Sequence, residues 1–339
     1  MPKYALSSVV ARLRAAPPMQ RKQEMELLSA CLASLAPEVG GRPVPVGDDT
    51  AVIELPEGKL LLASEVIYPP LVTANPYLAG RSAVLANVND VYAMGGFPLA
   101  LVNTILAPNP SVAADILRGL REGCERYGVA LVGGHLTASG EVTSVSASIL
   151  GRAKQVLSSF NARAGDIILH VVNLRGEFHP SFPFWDCSSH LPNAELQRDL
   201  ALLPAIAEAG WCIAARDISM AGILGSLMMM LELSGVGAVV NLDDIPGPGA
   251  GTDRYFDWLL GFPSYGFILC VRPPFVEAVQ DTFTAHSISC APIGTVTADR
   301  RVLVRQGQDE ELLRDLQRDS FMGLAPTDVH APTVEAVFA

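Results

Sequence analysis

The sequence predicts an α/β protein of the α+β type, with strands and helices mixed in two domains. Alternation of apolar and hydroxyl side chains over Val142–Leu150 is typical of a half-buried strand with one polar face. Segments with helix start and stop signals, such as Asn75–Gly95, lie between strands of this kind. The chain has 339 residues, half of them hydrophobic, and this length favours two cores over one.

The first half of the chain is predicted to begin with helices and to continue as a sheet. Pro17-Pro18 interrupt the helical run Leu6–Leu35, because proline disrupts a helix interior. Asn75-Pro76 start the next helix and Gly95-Gly96 end it. The further elements predicted here are strands at Val44–Ile53, Leu60–Val66, Leu99–Leu106, Val129–Val132 and Val142–Leu150, and a helix at Val112–Tyr127.

The second half is predicted to alternate strands and helices after a junction at Gly151–Asp166. Its loop Arg175–Leu191 is unusually aromatic, and it is interpreted either as a lid or substrate wall or as a plug against a partner subunit. The remaining elements predicted are strands at Ile167–Leu174, Ile213–Ala215, Val236–Leu242, Tyr265–Val271, Ser289–Val296 and Arg301–Val304, and helices at Asn193–Gly210, Asp217–Ser234, Asp253–Leu260, Phe275–His286 and Glu310–Arg318.

Asn87 and Asp90 are the most informative polar residues of the chain. They are three positions apart on the helix that begins after Asn75, so they share a face. Their neighbours on the helix are small or apolar, which predicts close packing against another element. A carboxylate in such surroundings is costly unless it meets a cation or several donors. Asp90 is therefore a candidate metal ligand.

Two further acidic segments precede this helix. Asp48 and Asp49 lie in a predicted strand, where successive residues point to opposite faces, so at most one of them faces a given site. Ser64-Glu65 end the next predicted strand. Taken singly, each motif is explained as a turn or a cap. One carboxylate from each of three segments, with hydroxyl groups nearby, favours a shared Mg²⁺ site between protein and phosphate oxygens.

The segment Gly133-Gly134-His135-Leu136-Thr137 follows a short predicted strand. Glycines allow backbone N–H groups to approach phosphate, and Thr137 adds a donor or a metal ligand. A plain turn at the glycines and a structural histidine at His135 are the alternative interpretation.

Asp217 is predicted at the N-terminus of a helix. There it either caps the helix together with Ser219, or binds metal or substrate beside the positive end of the helix. Capping alone would explain Asp217, so its place in a site depends on its neighbours.

Charge and cysteine content limit the classes of partner. A formal net charge of −11 argues against nucleic acid or an anionic membrane as the main partner, although ATP bound through metal ions stays compatible with it.

The six cysteines are scattered without a CxxC pair, which favours free thiols in a reducing compartment. Because the sequence also has no apolar run of membrane-spanning length and no signal peptide, we expect a cytoplasmic protein.

The chain resembles the family that contains AIR synthase, thiamine-monophosphate kinase, selenophosphate synthetase and the hydrogenase-maturation carbamoyl dehydratase. The resemblance implies a two-domain AIR synthase-like fold in which the N-terminal sheets of a homodimer form a shared barrel, with a C-terminal α/β sandwich. It also implies ATP and Mg²⁺ in the cleft. The segments that carry the resemblance are, in order, Gly47-Asp48-Asp49-Thr50-Ala51-Val52, Ser64-Glu65, Asn87–Pro98, Gly133-Gly134-His135, Ala162-Arg163-Ala164-Gly165-Asp166 and Asp217-Ile218-Ser219-Met220-Ala221-Gly222.

The resemblance also divides the chain and assigns roles. It implies an N-terminal ATP-binding domain at residues 1–152, a C-terminal domain at residues 153–322 and a tail at residues 323–339. The candidate catalytic residues are Asp49, Asp90 and Asp217, and the candidate metal ligands are these three with Glu65. The candidate cofactor-binding residues are Asp48, Ser64, Asn87, Gly133, Gly134, His135, Thr137 and Ser219.

The chain departs from each well-known member of this family. It lacks the reactive N-terminal cysteine, followed closely by lysine, of selenophosphate synthetase, and Cys31 lies within a predicted helix instead. Thiamine-monophosphate kinase would have Asp in place of Glu65, His135 and Met220. The cysteine-bearing C-terminus of the hydrogenase-maturation protein is also missing. The segments that look most like an AIR synthase-related branch are Arg216–Gly222, Phe184-Trp185-Asp186 and Phe262-Pro263-Ser264-Tyr265-Gly266.

Two hypotheses for function follow. In the first, a homodimeric enzyme uses ATP and Mg²⁺ to transfer the γ-phosphoryl group to a small metabolite, in the manner of thiamine-monophosphate kinase or selenophosphate synthetase. In the second, a nucleotide-binding or partner-binding subunit of the same fold has lost catalysis, as the departures at Glu65, His135 and Met220 suggest.

Overall fold

The computed structural model describes residues 4–35, 37–56, 58–249, 251–252 and 254–324. The helices are α1 (Leu6–Ala15), α2 (Pro17–Gln20), α3 (Met25–Leu35), α4 (Pro69–Ala74), α5 (Pro76–Ala93), α6 (Pro110–Tyr127), α7 (Asn193–Leu200), α8 (Leu202–Glu208), α9 (Gly222–Ser234), α10 (Tyr255–Leu260) and α11 (Val276–Thr284). Short 3₁₀ turns occupy Arg21–Glu24, Leu242–Asp244 and Pro273–Phe275.

The strands belong to two large sheets and two small ones. They are β1 (Glu38–Val39), β2 (Arg42–Pro43), β3 (Ala51–Leu55), β4 (Gly58–Val66), β5 (Phe97–Leu106), β6 (Ala130–Thr137), β7 (Ser144–Ala153), β8 (Ile167–Val172), β9 (Glu177–Phe178), β10 (Phe184–Asp186), β11 (Ala214–Asp217), β12 (Gly237–Asn241), β13 (Phe262–Pro263), β14 (Gly266–Val271), β15 (Ser289–Thr297), β16 (Arg301–Gln306) and β17 (Asp309–Asp315). Mixed strands and helices confirm the predicted fold class.

The N-terminal sheet is open. Its five strands run in the order β3-β4-β7-β5-β6, antiparallel except for the parallel pair β5–β6. Helices α5 and α6 pack on each other and cover one face. The described residues of this chain therefore form no closed barrel, and a barrel shared by two copies stays a prediction.

Helices α5 and α6 approach each other through glycines. A Cβ on Gly80 would lie 2.1 Å from the backbone oxygen of Ile116, and one on Gly119 would lie 2.0 Å from that of Tyr77. The Asn75 side chain caps α5 by accepting a hydrogen bond from Leu78 N at 3.0 Å. The close packing and the cap predicted for this helix are both confirmed.

The C-terminal sheet has seven strands in the order β11-β14-β8-β15-β12-β16-β17. Apolar residues of α9 pack on one face of this sheet, and residues of α7, α8 and α11 pack on the other. Helix α1 joins the α9 side, where Leu6, Val9 and Leu13 are buried. The N-terminal helical segment thus packs on the C-terminal domain. Residues 325–339 of the predicted tail lie outside the described residues.

Several local predictions are wrong. The strand predicted at Val44–Ile53 begins only at Ala51, so Asp48 and Asp49 lie in the loop before it. The segment predicted as a helix at Glu310–Arg318 is strand β17, because the turn at Gly307 (φ +60°) returns the chain to pair with β16. The strand predicted to end at Val132 continues through Gly133 and Gly134 to Thr137 in parallel with β5, so the glycines form no turn. The helix predicted over Asn193–Gly210 is divided into α7 and α8.

Within the described part of the chain, the buried cysteines Cys124, Cys187, Cys212, Cys270 and Cys290 have no disulfide partner. Among the described helices, none combines the length and apolar character that a membrane crossing requires.

Candidate active site

Three carboxylates from separate segments converge at the boundary of the two domains. Asp49 lies in the loop before β3, Asp90 in the last turn of α5, and Asp217 at the end of β11. One oxygen of each lies within 4.8 Å of the others. All three side chains are buried. We call Asp49, Asp90 and Asp217 the acidic cluster.

The position of Asp217 corrects the sequence interpretation. Asp217 is the last residue of β11, and helix α9 begins five residues later at Gly222 with Ala221 as its N-cap. Asp217 therefore does not cap the helix. Its carboxylate instead joins the acidic cluster. Ser219 lies in the intervening turn, where its backbone N–H donates to Ser226 Oγ at 3.0 Å.

Arg216 fixes Asp49 within the cluster. Its guanidinium lies 3.0 Å from Asp49 Oδ1 and also donates to the backbone oxygen of Gly47 at 3.1 Å and to Ser159 Oγ at 3.2 Å. The other oxygen of Asp49 accepts a hydrogen bond from the backbone N–H of Asp217 at 3.1 Å. Both oxygens of Asp49 are thereby held in defined directions.

Burial raises the pKa of each carboxyl group in the cluster, and repulsion from neighbouring carboxylates adds to this at Asp90 and Asp49. Loss of hydration raises the pKa of Asp90 well above its usual range, and the neighbouring charges of Glu65, Asp217 and Asp49 raise it further. Burial likewise raises the pKa of Asp49 well above its usual range, although Arg216 opposes this. Ionisation of all three buried carboxyl groups beside one guanidinium is therefore costly unless a further cation binds.

The donor set fits Mg²⁺. The Oδ2 atom of Asp90 is buried and has no hydrogen-bond partner among the described residues. A buried carboxylate oxygen without a partner is costly, and hard divalent cations prefer carboxylate oxygens as ligands. Asp49, Asp90 and Asp217 are the residues that would hold the ion.

The raised pKa values predict how stability depends on pH and metal. A carboxyl whose pKa is raised on folding lowers stability as pH rises from its ordinary value, near 4, through its folded value. We expect the metal-free protein to lose stability over this range, and Mg²⁺ to raise the Tm more near pH 8 than near pH 5. Thermal unfolding at both pH values, with and without Mg²⁺, measures this. An equal Mg²⁺ effect at both would contradict it.

Two more charged residues border the acidic cluster. Glu65 on β4 is partly in contact with solvent. Loss of hydration beside the acidic cluster and the charge of Asp217 nevertheless raise its pKa to about 6. Burial and the charge of Arg216 lower the pKa of Lys22. The negative charges of Asp217, Glu65 and Asp49 oppose this shift, so Lys22 lies beside the acidic cluster. The sequence analysis missed Lys22. No local sequence signal distinguishes this lysine from a surface lysine, because its position at the site depends on how α1 and the following segment pack.

Asp48 and Asn87 lie beside the cluster with partners of their own. Asp48 accepts hydrogen bonds from Ser158 Oγ at 2.6 Å and from the backbone N–H of Ser159 at 3.1 Å, which ties the two domains together. Asn87 donates to the backbone oxygen of Ala83 at 2.8 Å, and its buried Oδ1 has no partner among the described residues.

The other candidate residues lie elsewhere in this chain. Ser64 points to the opposite side of β4 from the buried Leu61 and Ala63, and it accepts a hydrogen bond from Ser148 Oγ at 2.8 Å. Gly133, Gly134, His135 and Thr137 lie on β6, at the far edge of the N-terminal sheet. Three strand spacings, about 14 Å, separate β6 from β4.

The aromatic loop packs within its own chain. Phe178 and Trp185 lie edge to face at 5.1 Å, and Trp185 meets Trp258 of α10 at 5.3 Å. These contacts support its interpretation as a wall more than as a plug against a partner.

Curated relatives share most of the chain. An uncharacterised protein of Synechocystis sp. is 39% identical over 284 residues, which cover 84% of this chain and 88% of the relative. The selenide, water dikinase of Yersinia pseudotuberculosis is 27% identical over 307 residues, which cover 76% of this chain and 85% of the relative.

Solved structures share the fold. AaThiL complexed with AMPPCP and TMP superposes with a TM-score of 0.65 at 20% identity, covering 86% of this chain and 96% of that one. Thermotoga maritima PurL complexed with ADP superposes with a TM-score of 0.71 at 17% identity, covering 97% of this chain and 56% of that one.

The family match covers both domains. Residues 47–153 match the N-terminal domain of AIR synthase related proteins, and residues 184–306 match their C-terminal domain. The acidic cluster draws Asp49 and Asp90 from the first of these ranges and Asp217 from the second. The chain belongs to the AIR synthase-related family.

Proposed function

We propose that this protein is an ATP- and Mg²⁺-dependent enzyme that transfers the γ-phosphoryl group to a small metabolite. The observation that carries the proposal is the acidic cluster, in which Asp90 has a buried oxygen without a hydrogen-bond partner among the described residues. Family resemblance supports ATP as the nucleotide, since relatives include a dikinase and the superposed structures hold AMPPCP and ADP. The free buried thiols support a cytoplasmic location.

Five residues at or beside the cluster have a defined task in this proposal. Asp49, Asp90 and Asp217 hold the metal, and Arg216 keeps Asp49 oriented. Mg²⁺, when bound, supplies charge neutralisation at the phosphate oxygens. Lys22 is placed to offset the negative charge that develops on the transferred group. Phosphoryl transfer needs positioning and charge neutralisation, so this set suffices without a covalent nucleophile.

Measurement of ADP release tests the proposal against the non-catalytic alternative. The protein is incubated with ATP and Mg²⁺ over a panel of alcohols, phosphomonoesters, carboxylates and amines. We expect acceptor-dependent ADP release that EDTA abolishes. Tight binding of ATP by calorimetry without ADP release for any acceptor would instead favour a nucleotide-binding subunit. Absence of ATP binding would contradict both.

Replacement of Lys22 by methionine is expected to lower ADP release about 100-fold or more, because it removes the cation beside the transferred phosphoryl group. The affinity for Mg²⁺ and ATP should change far less. Lys154→Met is the matched control, since Lys154 pairs with Glu208 on the surface. Equal activity of the two variants would remove Lys22 from the proposed machinery.

We also propose that the protein forms a homodimer through the uncovered face of the N-terminal sheet. Large apolar side chains are exposed there, although sheet faces of this kind are normally covered. The phosphate-binding roles predicted for β6 add a second argument, because β6 lies too far from the acidic cluster of its own chain. A second copy could bring β6 to that cluster. The exposed apolar residues that the strand register places on this face are Leu62, Val66, Phe97, Val102, Leu106 and Val132.

Introducing a charge at Val132 tests this assembly. Val132 is 64% exposed on β6, and Val132→Asp is expected to convert a dimer to a monomer in size-exclusion chromatography with light scattering. Leu117→Asp is the control, since Leu117 is exposed on α6, in the helix layer. A monomeric wild-type protein, or equal behaviour of both variants, would contradict the proposed interface.

A further inference from the structure

The segment that joins the two domains is buried beside the acidic cluster. This linker comprises residues 154–166, between the end of β7 and the start of β8. The structure describes all of these residues, and none of them belongs to a helix or strand. Leu157, Ser158 and Ser159 are buried, although connections normally run over the surface. A buried connection must find partners for its backbone N–H and C=O groups, so its hydrogen bonds show what it holds together.

The linker is hydrogen-bonded to two of the elements that carry the acidic cluster. The backbone N–H of Leu157 donates to Met94 O at 3.1 Å, at the end of α5. The backbone N–H of Ser158 donates to Ile213 O at 2.9 Å, directly before β11. Helix α5 carries one carboxylate of the cluster and β11 carries another, so the linker fixes the position of one domain relative to the other at the cluster.

Asp48 binds the linker to the third element, the loop that carries Asp49. Its carboxylate oxygens accept hydrogen bonds from Ser158 Oγ at 2.6 Å and from the backbone N–H of Ser159 at 3.1 and 3.2 Å. Ser159 Oγ in turn accepts a hydrogen bond from Arg216 at 3.2 Å, and Arg216 pairs with Asp49. Both oxygens of Asp48 are thus used by the linker, whereas those of Asp49 belong to the acidic cluster.

We infer that Asp48 is a positioning residue, which holds the linker so that carboxylates of both domains meet at one metal ion; the metal rests on the function proposed above. The three carboxylates of the cluster repel one another when they are ionised, so the elements that carry them need a restraint before an ion binds. The hydrogen bonds of Asp48 supply this restraint through the linker. This role differs from the cofactor binding predicted for Asp48 from the sequence.

Replacement of Asp48 by alanine and by asparagine tests positioning against ligation. Binding of Mn²⁺ alone is followed by EPR spectroscopy, in which the signal of the free ion disappears on binding. We expect Asp48→Ala to weaken Mn²⁺ binding about tenfold or more, because the hydrogen bonds to the linker are lost. Asp48→Asn should keep most of the affinity, since its Oδ1 atom still accepts from Ser159 N and its amide can donate to Ser158 Oγ.

Asp186→Ala is the matched control. Asp186 holds a pair of serines in the same way, because it accepts hydrogen bonds from the backbone N–H groups of Ser188 and Ser189 at 3.1 and 2.9 Å, but it lies on β10. Its replacement should leave Mn²⁺ affinity within about twofold, since its partners differ from those of the cluster. Should Asp48→Ala not fold, Ser158→Ala removes the shortest hydrogen bond to Asp48 and is measured in its place.

Hydrogen exchange in EDTA gives a second measurement, which needs no metal. The backbone N–H of Asp217 donates to Asp49 Oδ2 at 3.1 Å, so its exchange rate reports whether the two domains stay together at the cluster. We expect this exchange to be about tenfold faster in Asp48→Ala than in the wild-type protein, because the opening of this contact becomes more frequent. Asp48→Asn and Asp186→Ala should exchange close to the wild-type rate.

Three outcomes would overturn the positioning role. They are equal Mn²⁺ affinity in Asp48→Ala and Asp186→Ala, an unchanged exchange rate at Asp217 in Asp48→Ala, and a loss of affinity in Asp48→Asn as large as in Asp48→Ala. The last of these would make Asp48 a ligand of the ion. If the wild-type protein binds no Mn²⁺, the proposed metal site fails, and the exchange rate at Asp217 alone decides the role of Asp48.

Discussion

Replacement of Asp90 by asparagine is expected to abolish acceptor-dependent ADP release, with a loss of about 1,000-fold or more. Asparagine keeps the shape of the side chain but removes the charge that a metal ion requires. The same substitution should raise the Tm of the metal-free protein by a few degrees, because it removes one of the mutually repelling buried carboxylates.

Opposite effects on activity and metal-free stability distinguish a ligand from a structural residue. The control is Asp115→Asn, because Asp115 pairs with Arg118 on the exposed side of α6, and it should change neither property. ADP release is followed with a coupled assay and Tm by calorimetry in EDTA. Full activity of Asp90→Asn would contradict the role of Asp90 as a metal ligand. A lower Tm of the metal-free variant would contradict the repulsion between Asp90 and its neighbouring carboxylates.

Replacement of Arg216 by methionine is expected to cost about 3–5 kcal/mol of stability. The substitution leaves Asp49 buried without its guanidinium partner, and removal of one member of a buried ion pair typically costs this much. Arg42→Met is the matched control, since Arg42 and Glu54 form an exposed pair whose loss should cost no more than about 1 kcal/mol.

Denaturant unfolding followed by tryptophan fluorescence measures this difference. Trp185, Trp211 and Trp258 all lie in the C-terminal domain, so the signal reports on the sheet that carries Arg216. The double variant Arg216→Met with Asp49→Asn should recover part of the lost stability, because it removes the buried charge that the single variant leaves unpaired. Equal losses in Arg216→Met and Arg42→Met would contradict the role of the buried pair.

The sequence predicted those parts of the fold that local signals specify. Asn75, Pro76 and Gly95 delimit α5 by capping chemistry, and the small residues of this helix indicated its close contact with α6. The charged segment that forms β17 was predicted as a helix, because the turn at Gly307 and pairing with β16 outweigh local preference.

A candidate site residue could be recognised from sequence where burying its side chain would cost free energy without a partner. Asp90 was recognisable because burying a carboxylate on an apolar helix costs free energy. In the part of the chain that the structure describes, its Oδ2 atom has no hydrogen-bond partner. Lys22 and Arg216 were not assigned to the site from sequence, since their positions depend on how α1 and β11 pack in three dimensions. The role of His135 stays a prediction, because three strand spacings separate β6 from β4 within this chain and only the proposed dimer would bring β6 to the cluster.

Crystals grown with Mn²⁺ and a non-hydrolysable ATP analogue test the central claim most directly. Manganese takes the oxygen ligands that magnesium takes, and its anomalous scattering locates it without ambiguity. We predict an anomalous peak bound by Asp49, Asp90 and Asp217, with phosphate oxygens of the analogue beside it. A nucleotide bound with its metal elsewhere, or an acidic cluster without a peak, would contradict the assignment of this cluster as the metal site for ATP.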